Sequence, residues 1–206
     1  MLLRSSTIAH LIDDCENNES DPLVITPKPD TRRIHGDSSA SVDLRLGTWF
    51  RTERASRHPL LDVYDRDRLA PTEHSITQAH YIPFGSQFIL HPHSFVLAVT
   101  LEWIRLPFYL AGMVTGKSSW GRRGLIIETA PGVHPGYSGC LTLEVTNVGD
   151  VPIAIKPGTK ICQIFLYQLD GTVNAAEGSR FVGQRQPQLG AISSDEFAEK
   201  LFQSRT

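Results

Sequence analysis

Apolar and polar residues alternate with a period of two along much of the chain. In Ser41-Val42-Asp43-Leu44-Arg45-Leu46, the residues Val42, Leu44 and Leu46 fall on one face. Ser41, Asp43 and Arg45 fall on the other, the pattern of a half-buried strand. Residues 95–101 and 141–145 repeat it and are enriched in β-branched and aromatic side chains. Turn residues break the runs at His35-Gly36, Pro83-Phe84-Gly85, Pro131-Gly132, Pro135-Gly136, Asn147-Val148-Gly149-Asp150 and Pro157-Gly158. From residue 23 to about 169 the pattern is strand-like throughout. Many short strands at this spacing predict a mainly β sandwich or distorted barrel.

Helical periodicity is confined to the ends. Ser5 or Ser6 caps a short helix whose apolar stripe is Ile8, Leu11 and Ile12, ending near residues 16–18. Ser193-Ser194-Asp195-Glu196 caps a last helix carrying Phe197, Leu201 and Phe202. Residues 51–77 are charged and poorly periodic, which predicts a loop or insertion. Residues 170–188 are rich in Gly, Gln and Arg, without hydrophobic period, and read as a mobile lid or a disordered segment. The expectation is one domain over residues 1–206, with an N-terminal helix (1–20), the 51–77 insertion and a C-terminal lid and helix (170–206).

Composition narrows the class. The 206 residues are 40 % hydrophobic and 20 % charged, as in soluble globular proteins. A net charge of −2 gives no overall attraction to nucleic acid, so any nucleotide site must be a local basic cluster. The three cysteines, Cys15, Cys140 and Cys162, lack CxxC spacing, and the last two lie in apolar runs as small core residues. An odd count without a framework predicts a reducing compartment. The opening MLLRSSTIAHLIDD has no uninterrupted apolar core of a signal peptide. No apolar run approaches the ~20 residues that span a bilayer. The expected location is cytoplasmic, with no membrane partner.

The chemistry concentrates between Gly116 and Glu144. Lys117, Ser118, Ser119, Arg122 and Arg123 form a cationic, hydroxyl-rich turn, suited to phosphate oxygens. Glu144 is a lone carboxylate in the aliphatic run Leu141-Thr142-Leu143-Glu144-Val145. Alternation puts it with Thr142, opposite Leu141, Leu143 and Val145, and by pattern alone that is a charge on a solvent face. Thr115-Gly116-Lys117-Ser118 is not a P-loop. Ala111 stands where that motif needs glycine, and no parallel βαβ pattern surrounds it. A zinc deaminase needs His-x-Glu followed by Pro-Cys-x-x-Cys, and neither occurs. His91 and His93 have no third ligand in sight and read as turn residues, so no metal-ligating set is predicted.

Residues 116–144, GKSSWGRRGLIIETAPGVHPGYSGCLTLE, resemble the dCTP deaminase family of the dUTPase-like superfamily. That family's pattern runs G-[RK]-S-S-x-x-R-x-G-L, then T-A-x-x-[IV]-D-P-G-[FWY]-x-G, then an aliphatic strand ending in Glu. VITPKP (24–29), SASVDLRLG (39–47), residues 88–107 and residues 145–166 resemble further strands in the same order, and SRFVGQRQPQ (179–188) resembles the C-terminal lid. The resemblance implies a dUTPase-like distorted β-barrel with short flanking helices, assembled as a homotrimer with sites at subunit interfaces. It implies hydrolysis of dCTP to dUTP and ammonia, supplying dUTP for thymidylate synthesis. Glu144 would be the general base, its carboxylate pKa raised by partial desolvation. Ser118 and Arg122 would orient the water, and the Ala130 carbonyl would help place it. Substrate contacts would come from Lys117, Ser118, Ser119, Trp120, Gly121, Arg122, His134, Tyr137, Thr142, Leu143, Arg180 and Gln184. Tyr137 would pack under the sugar. The partners implied are dCTP and dUTP, with dTTP as inhibitor. The cofactor implied is Mg²⁺ bound through the nucleotide triphosphate, without zinc.

Two positions depart from the pattern. His134 replaces the family's Asp, which in the dUTPase branch orients hydrolytic water. Imidazole supplies no fixed negative charge, so the reaction is expected to stop at dUTP. The lid lacks the Tyr that usually precedes Arg180. The alternatives left open are a dUTP diphosphatase, a bifunctional deaminase–diphosphatase, a deaminase of modified deoxycytidine nucleotides, and a non-catalytic nucleotide-binding regulator.

Overall fold

The computed structural model describes residues 1–14, 20–36, 39–54, 76–171 and 183–190. Their elements in chain order are α1 (Ser5–Asp14), β1 (Val24–Thr26), α2 (Thr31–Gly36), β2 (Ser41–Glu53), β3 (Thr77–Tyr81), β4 (Phe88–Leu90), β5 (Phe95–Arg105), β6 (Leu110–Gly116), α3 (Ser118–Gly121), β7 (Leu125–Ile127), β8 (Gly132–Val133), β9 (Ser138–Asn147), β10 (Ile153–Ile155) and β11 (Lys160–Gln168). The fold is mainly β, as the alternation predicts. A nine-stranded sheet runs β7-β9-β5-β2-β11-β6-β8, with β1 also paired to β5 and β3 to β2. The short strands β4 and β10 pair separately.

One strand joins the two halves of this sheet. The first part of β2 pairs with β11, from Ser41↔Phe165 to Arg45↔Lys160. Its second part pairs with β5, from Leu46↔Thr100 to Thr52↔Val96, across a bulge between Leu46 and Phe50. Bulges add local twist, and here the sheet curls into a half-barrel. Gly47 sits in the bulge, where a Cβ would lie 3.0 Å from the carbonyl oxygens of Val99 and Thr100. A second bulge, in β5 between Val99 and Trp103, holds the buried Glu102. Its carboxylate accepts from the Arg45 backbone N–H at 2.7 Å and from Arg45 Nε at 2.6 Å, so the buried charge is paired on both oxygens.

The alternating residues fill the interior as predicted. Val42, Leu44, Leu46, Leu143, Val145 and Ile164 are all buried in one core. The rings of Phe50 and Phe88 stack with centroids 4.7 Å apart. Ile8 and Ile12 of α1 are fully buried in the same core, while Leu11 is half-buried. Cys140 and Cys162 are buried, and burial pushes the Cys162 thiol up to about 12. His93 occupies the turn before β5 with φ of +57°, in keeping with a turn role.

Two expectations need correction. The 23–169 stretch is not strand-like throughout, because residues 31–36 form α2. Asp30 caps it, its Oδ1 accepting from the Arg33 N–H at 3.4 Å, a local side-chain signal that outweighs the strand pattern around it. The segment 51–77 is not loop at its margins. Arg51–Glu53 belong to β2 and pair with β3, which starts at Thr77. Residues 55–75 of that insertion, the end of the first helix, Cys15, Arg180 and the C-terminal helix lie outside the described residues. Among the described residues, no helix is long and apolar enough to cross a membrane.

Candidate functional site

The cationic turn follows directly from the end of β6. Lys117 is extended (φ −80°, ψ 130°), and the chain then closes one helical turn, with Trp120 N–H and Gly121 N–H donating to the Lys117 carbonyl. The turn rests on the start of β11. Lys117 N–H donates to Ile161 O at 3.1 Å, and Trp120 Nε1 donates to Lys160 O at 3.0 Å. The Trp120 N–H is thus committed to the scaffold. Ser118, Ser119, Arg122 and Arg123 are exposed. Arg123 turns back to the Ser119 carbonyl at 2.6 Å, whereas Arg122 makes no ion pair among the described residues. Gly124 ends the turn in the left-handed region (φ +87°), where its own Cβ would press on the backbone of Gly149 at 3.1 Å.

Lys117 does not stand free. Its ammonium is bonded to Asp43 of β2, whose other oxygen holds Lys160 Nζ at 3.0 Å. Burial acts to raise the Asp43 pKa, but the hydrogen bonds from Lys117 and Lys160 outweigh it, and the carboxyl lies below its ordinary value. Two cations therefore share one carboxylate beside the turn.

Glu144 lies on β9 between β5 and β7. The burial of β9 alternates from Leu141 onward, with Leu143 and Val145 in the core and Thr142 and Glu144 half-buried on the other face. Both backbone groups of Glu144 are fixed by the segment after β7. Its N–H donates to Thr129 Oγ1 at 3.0 Å, and its carbonyl accepts from Glu128 N–H at 2.9 Å. The chain then crosses to the other half of the sheet, where the Pro131 carbonyl accepts from Val114 N–H and β8 pairs with β6. Ala130, exposed, sits in that crossing beside the Glu144 strand. Leu143 is fully buried, so only its backbone could meet a ligand.

The His134–Tyr137 turn follows. His134 is exposed, and its carbonyl accepts from Tyr137 N–H at 3.1 Å. The Tyr137 hydroxyl donates to the Cys140 carbonyl at 2.8 Å, and burial raises its pKa well above the usual phenol range. That hydroxyl braces the strand, while the ring packs on the core. Gln184 is buried. Its carbonyl accepts from Cys140 N–H at 2.8 Å, its Nε2 donates to Gln188 Oε1 at 2.9 Å, and its Oε1 has no partner among the described residues.

β7, paired to β9, links the cationic turn to the Glu144 strand. Gly124 adjoins the β9–β10 turn, where Val148 N–H donates to its carbonyl, whereas Glu128 adjoins Glu144. Four residues at roughly 3.4 Å each put Gly124 and Glu128 about 14 Å apart, while Gly116, just before the turn, lies against Ile127, where a Cβ on it would be 3.4 Å from the Ile127 Cβ. Asn147 locks the far end. Its buried Nδ2 donates to Leu90 O and Val151 O, and its Oδ1 accepts from Gly149 N–H. Sequence reasoning missed Thr129, Asp43, Lys160 and Asn147. Only Thr129, inside the Thr-Ala motif, carried a local signal. Among the described residues, no group of three or more His, Cys, Asp or Glu is placed to hold a metal ion.

The dCTP deaminase-like family model matches residues 2–169. A protein of Methanobrevibacter smithii named "dCTP deaminase, dUMP-forming" is 33 % identical over 183 residues, 86 % of this chain and 91 % of that one. One of the same name from Corynebacterium efficiens is 36 % identical over 196 residues, 91 % and 92 % of the two chains. The crystal structure of 2′-deoxycytidine 5′-triphosphate deaminase from Agrobacterium tumefaciens shares the fold, with a TM-score of 0.57 at 21 % identity. That match covers 80 % of this chain and 46 % of the other. The match over residues 2–169, which takes in both the cationic turn and the Glu144 strand, shows that the chain belongs to the dCTP deaminase-like family.

Proposed function

We propose that the protein deaminates dCTP hydrolytically and carries the product on to dUMP. The observation that carries the first step is Glu144, a half-buried carboxylate on an aliphatic strand with both of its backbone groups pinned beside the exposed Ala130. Glu144 takes a proton from water as the oxygen attacks C4 of the cytosine, and returns it to N3 or to the departing amine. The balance is dCTP and water to dUTP and ammonia. The Ala130 carbonyl accepts a hydrogen bond from that water. Ser118 and Arg122 orient it and stabilise the charge that develops.

The assembly is a closed homotrimer with interfacial sites. Ser118 and Arg122 of one copy then meet Glu144 of another across a subunit interface. Mg²⁺ arrives with the triphosphate as part of the substrate. The donors that fit such a complex are the exposed Ser118, Ser119 and Arg122, with the half-buried Lys117 tethered by Asp43.

The expectation that the reaction stops at dUTP is withdrawn, because both relatives are named dUMP-forming. It rested on His134 lacking a fixed negative charge. His134 is one side chain, while release of diphosphate also depends on how the triphosphate and a second water are held. The second step is dUTP and water to dUMP and diphosphate. Incubation with dCTP, dUTP or dCMP plus Mg²⁺, with nucleotides resolved by chromatography and ammonia and diphosphate assayed, tests both steps. Ammonia and diphosphate in equal amounts from dCTP support the reading. Ammonia with dUTP alone refutes the second step, and no ammonia refutes the first.

A further inference from the structure

Arg51, near the end of β2, is in register with Leu97 of β5, and Leu97 is in register with Glu144 of β9. Residues directly opposite across a sheet project from the same face. Arg51, Leu97 and Glu144 therefore form one row on the face turned away from the core, with Arg51 and Glu144 about 10 Å apart at two strand spacings. Val99, opposite Thr142, continues this face. Leu97 and Val99 are only 7 % and 2 % exposed, although neither belongs to the barrel core. The face is covered.

The segment 183–190 is fastened at two points around this face. At the β9 edge, Gly183 N–H donates to Ser138 O at 2.6 Å, and Cys140 N–H donates to Gln184 O at 2.8 Å. At the β2 end, Arg51 Nε donates to Pro187 O at 3.0 Å. The same guanidinium donates through an NH1 to Thr77 Oγ1 at 2.9 Å, which fixes its plane against β3. Gln184 and Pro187 are the buried residues of the segment.

We propose that Arg51 is a positioning residue for the deamination site: its guanidinium clamps the 183–190 segment across the sheet face that bears Glu144, and so fixes Gln184 beside β9. The role rests on the reading of Glu144 as the catalytic base. A guanidinium suits it because its rigid fork serves Pro187 and Thr77 together, whereas an ammonium is a point donor on a flexible stem. Proline suits the other side, since its fixed φ presents a carbonyl and it has no N–H to satisfy.

The test compares wild-type, Arg51→Ala and Arg51→Lys full-length protein by amide hydrogen exchange and by dCTP kinetics. In Arg51→Ala, the Cys140 and Gly183 amides should exchange about tenfold faster, the loss of one charge-assisted hydrogen bond, while core amides such as Leu143 and Ile164 keep their rates. KM for dCTP should rise about tenfold with kcat changed less than about threefold, as when binding rather than the chemical step is lost. Arg51→Lys should recover part of both. Unchanged exchange at Cys140 and Gly183 overturns the clamp. Equal acceleration at core amides reduces Arg51 to a general structural role and overturns the proposal, as does a loosened segment with unaltered KM. If wild-type protein releases no ammonia from dCTP, the functional reading fails and the positioning role with it, while the exchange comparison still decides the clamp.

Discussion

Replacing Gly136 by alanine should disturb the His134–Tyr137 turn through two separable costs. Gly136 has φ of +75°, and a Cβ there would stand 2.4 Å from Cε1 of Phe108, 2.9 Å from Cζ and 3.0 Å from Cδ1. A left-handed conformation costs an L-residue roughly 1–2 kcal/mol. Forcing a methyl into a filled space costs about 1–3 kcal/mol more. The sum, about 2–5 kcal/mol, is a large part of the roughly 5–15 kcal/mol that holds a domain folded. Urea denaturation should show a lower midpoint with an unchanged slope. In a Phe108→Ala background the ring is gone and only the backbone term remains, so the same substitution should cost about 1–2 kcal/mol. Equal costs in the two backgrounds, within about 0.5 kcal/mol, would refute the steric argument. An unshifted midpoint in Gly136→Ala would refute both terms.

Further expectations concern the chemistry and the charges. Glu144→Gln should bind dCTP but lose ammonia release by at least ~10²-fold, and near wild-type turnover would remove Glu144 from the mechanism. The Asp43 carboxyl is depressed in the folded protein, so its contribution to stability is present above the unfolded value of 3.8 and is lost as pH falls through the folded value. Asp43→Asn should therefore flatten the acid limb of the stability profile below about pH 4; a limb as steep as wild type would contradict the assigned ion pairs. Mixing the separately inactive Arg122→Ala and Glu144→Gln chains should restore ammonia release at hybrid interfaces. No recovery after subunit exchange, shown by mass spectrometry, would exclude a site shared between copies.

The strands were readable because burial repeats every second residue, and Val42, Leu44 and Leu46 obey that rule without exception. Glu144 was singled out as a candidate through its neighbours in a motif, since a single carboxylate in an alternating strand looks like any solvent-facing charge. What stayed hidden depends on pairing distant in sequence. Lys117 reads as a free phosphate ligand until folding brings Asp43, 74 positions away, against it. Arg51 reads as the first residue of a charged loop until register places it in line with Leu97 and Glu144. Thr129 lay inside a recognised motif, yet its hydroxyl's acceptance of the Glu144 N–H needs the hairpin to be closed. α2 was missed because its cap, Asp30, sits among residues that read as extended.

The sharing of β2 between the two halves of the sheet bears on how the molecule comes apart. Ser41–Arg45 belong to the β11 side and Leu46–Thr52 to the β5 side of one uninterrupted strand. Separating the halves would require breaking that strand at its bulge or stripping one partner from it along its length. Among the described residues, no seam lets one half melt while the other keeps its ladder. Heat or denaturant should then meet a single cooperative unit, with the Glu144 strand and the cationic turn lost in the same transition.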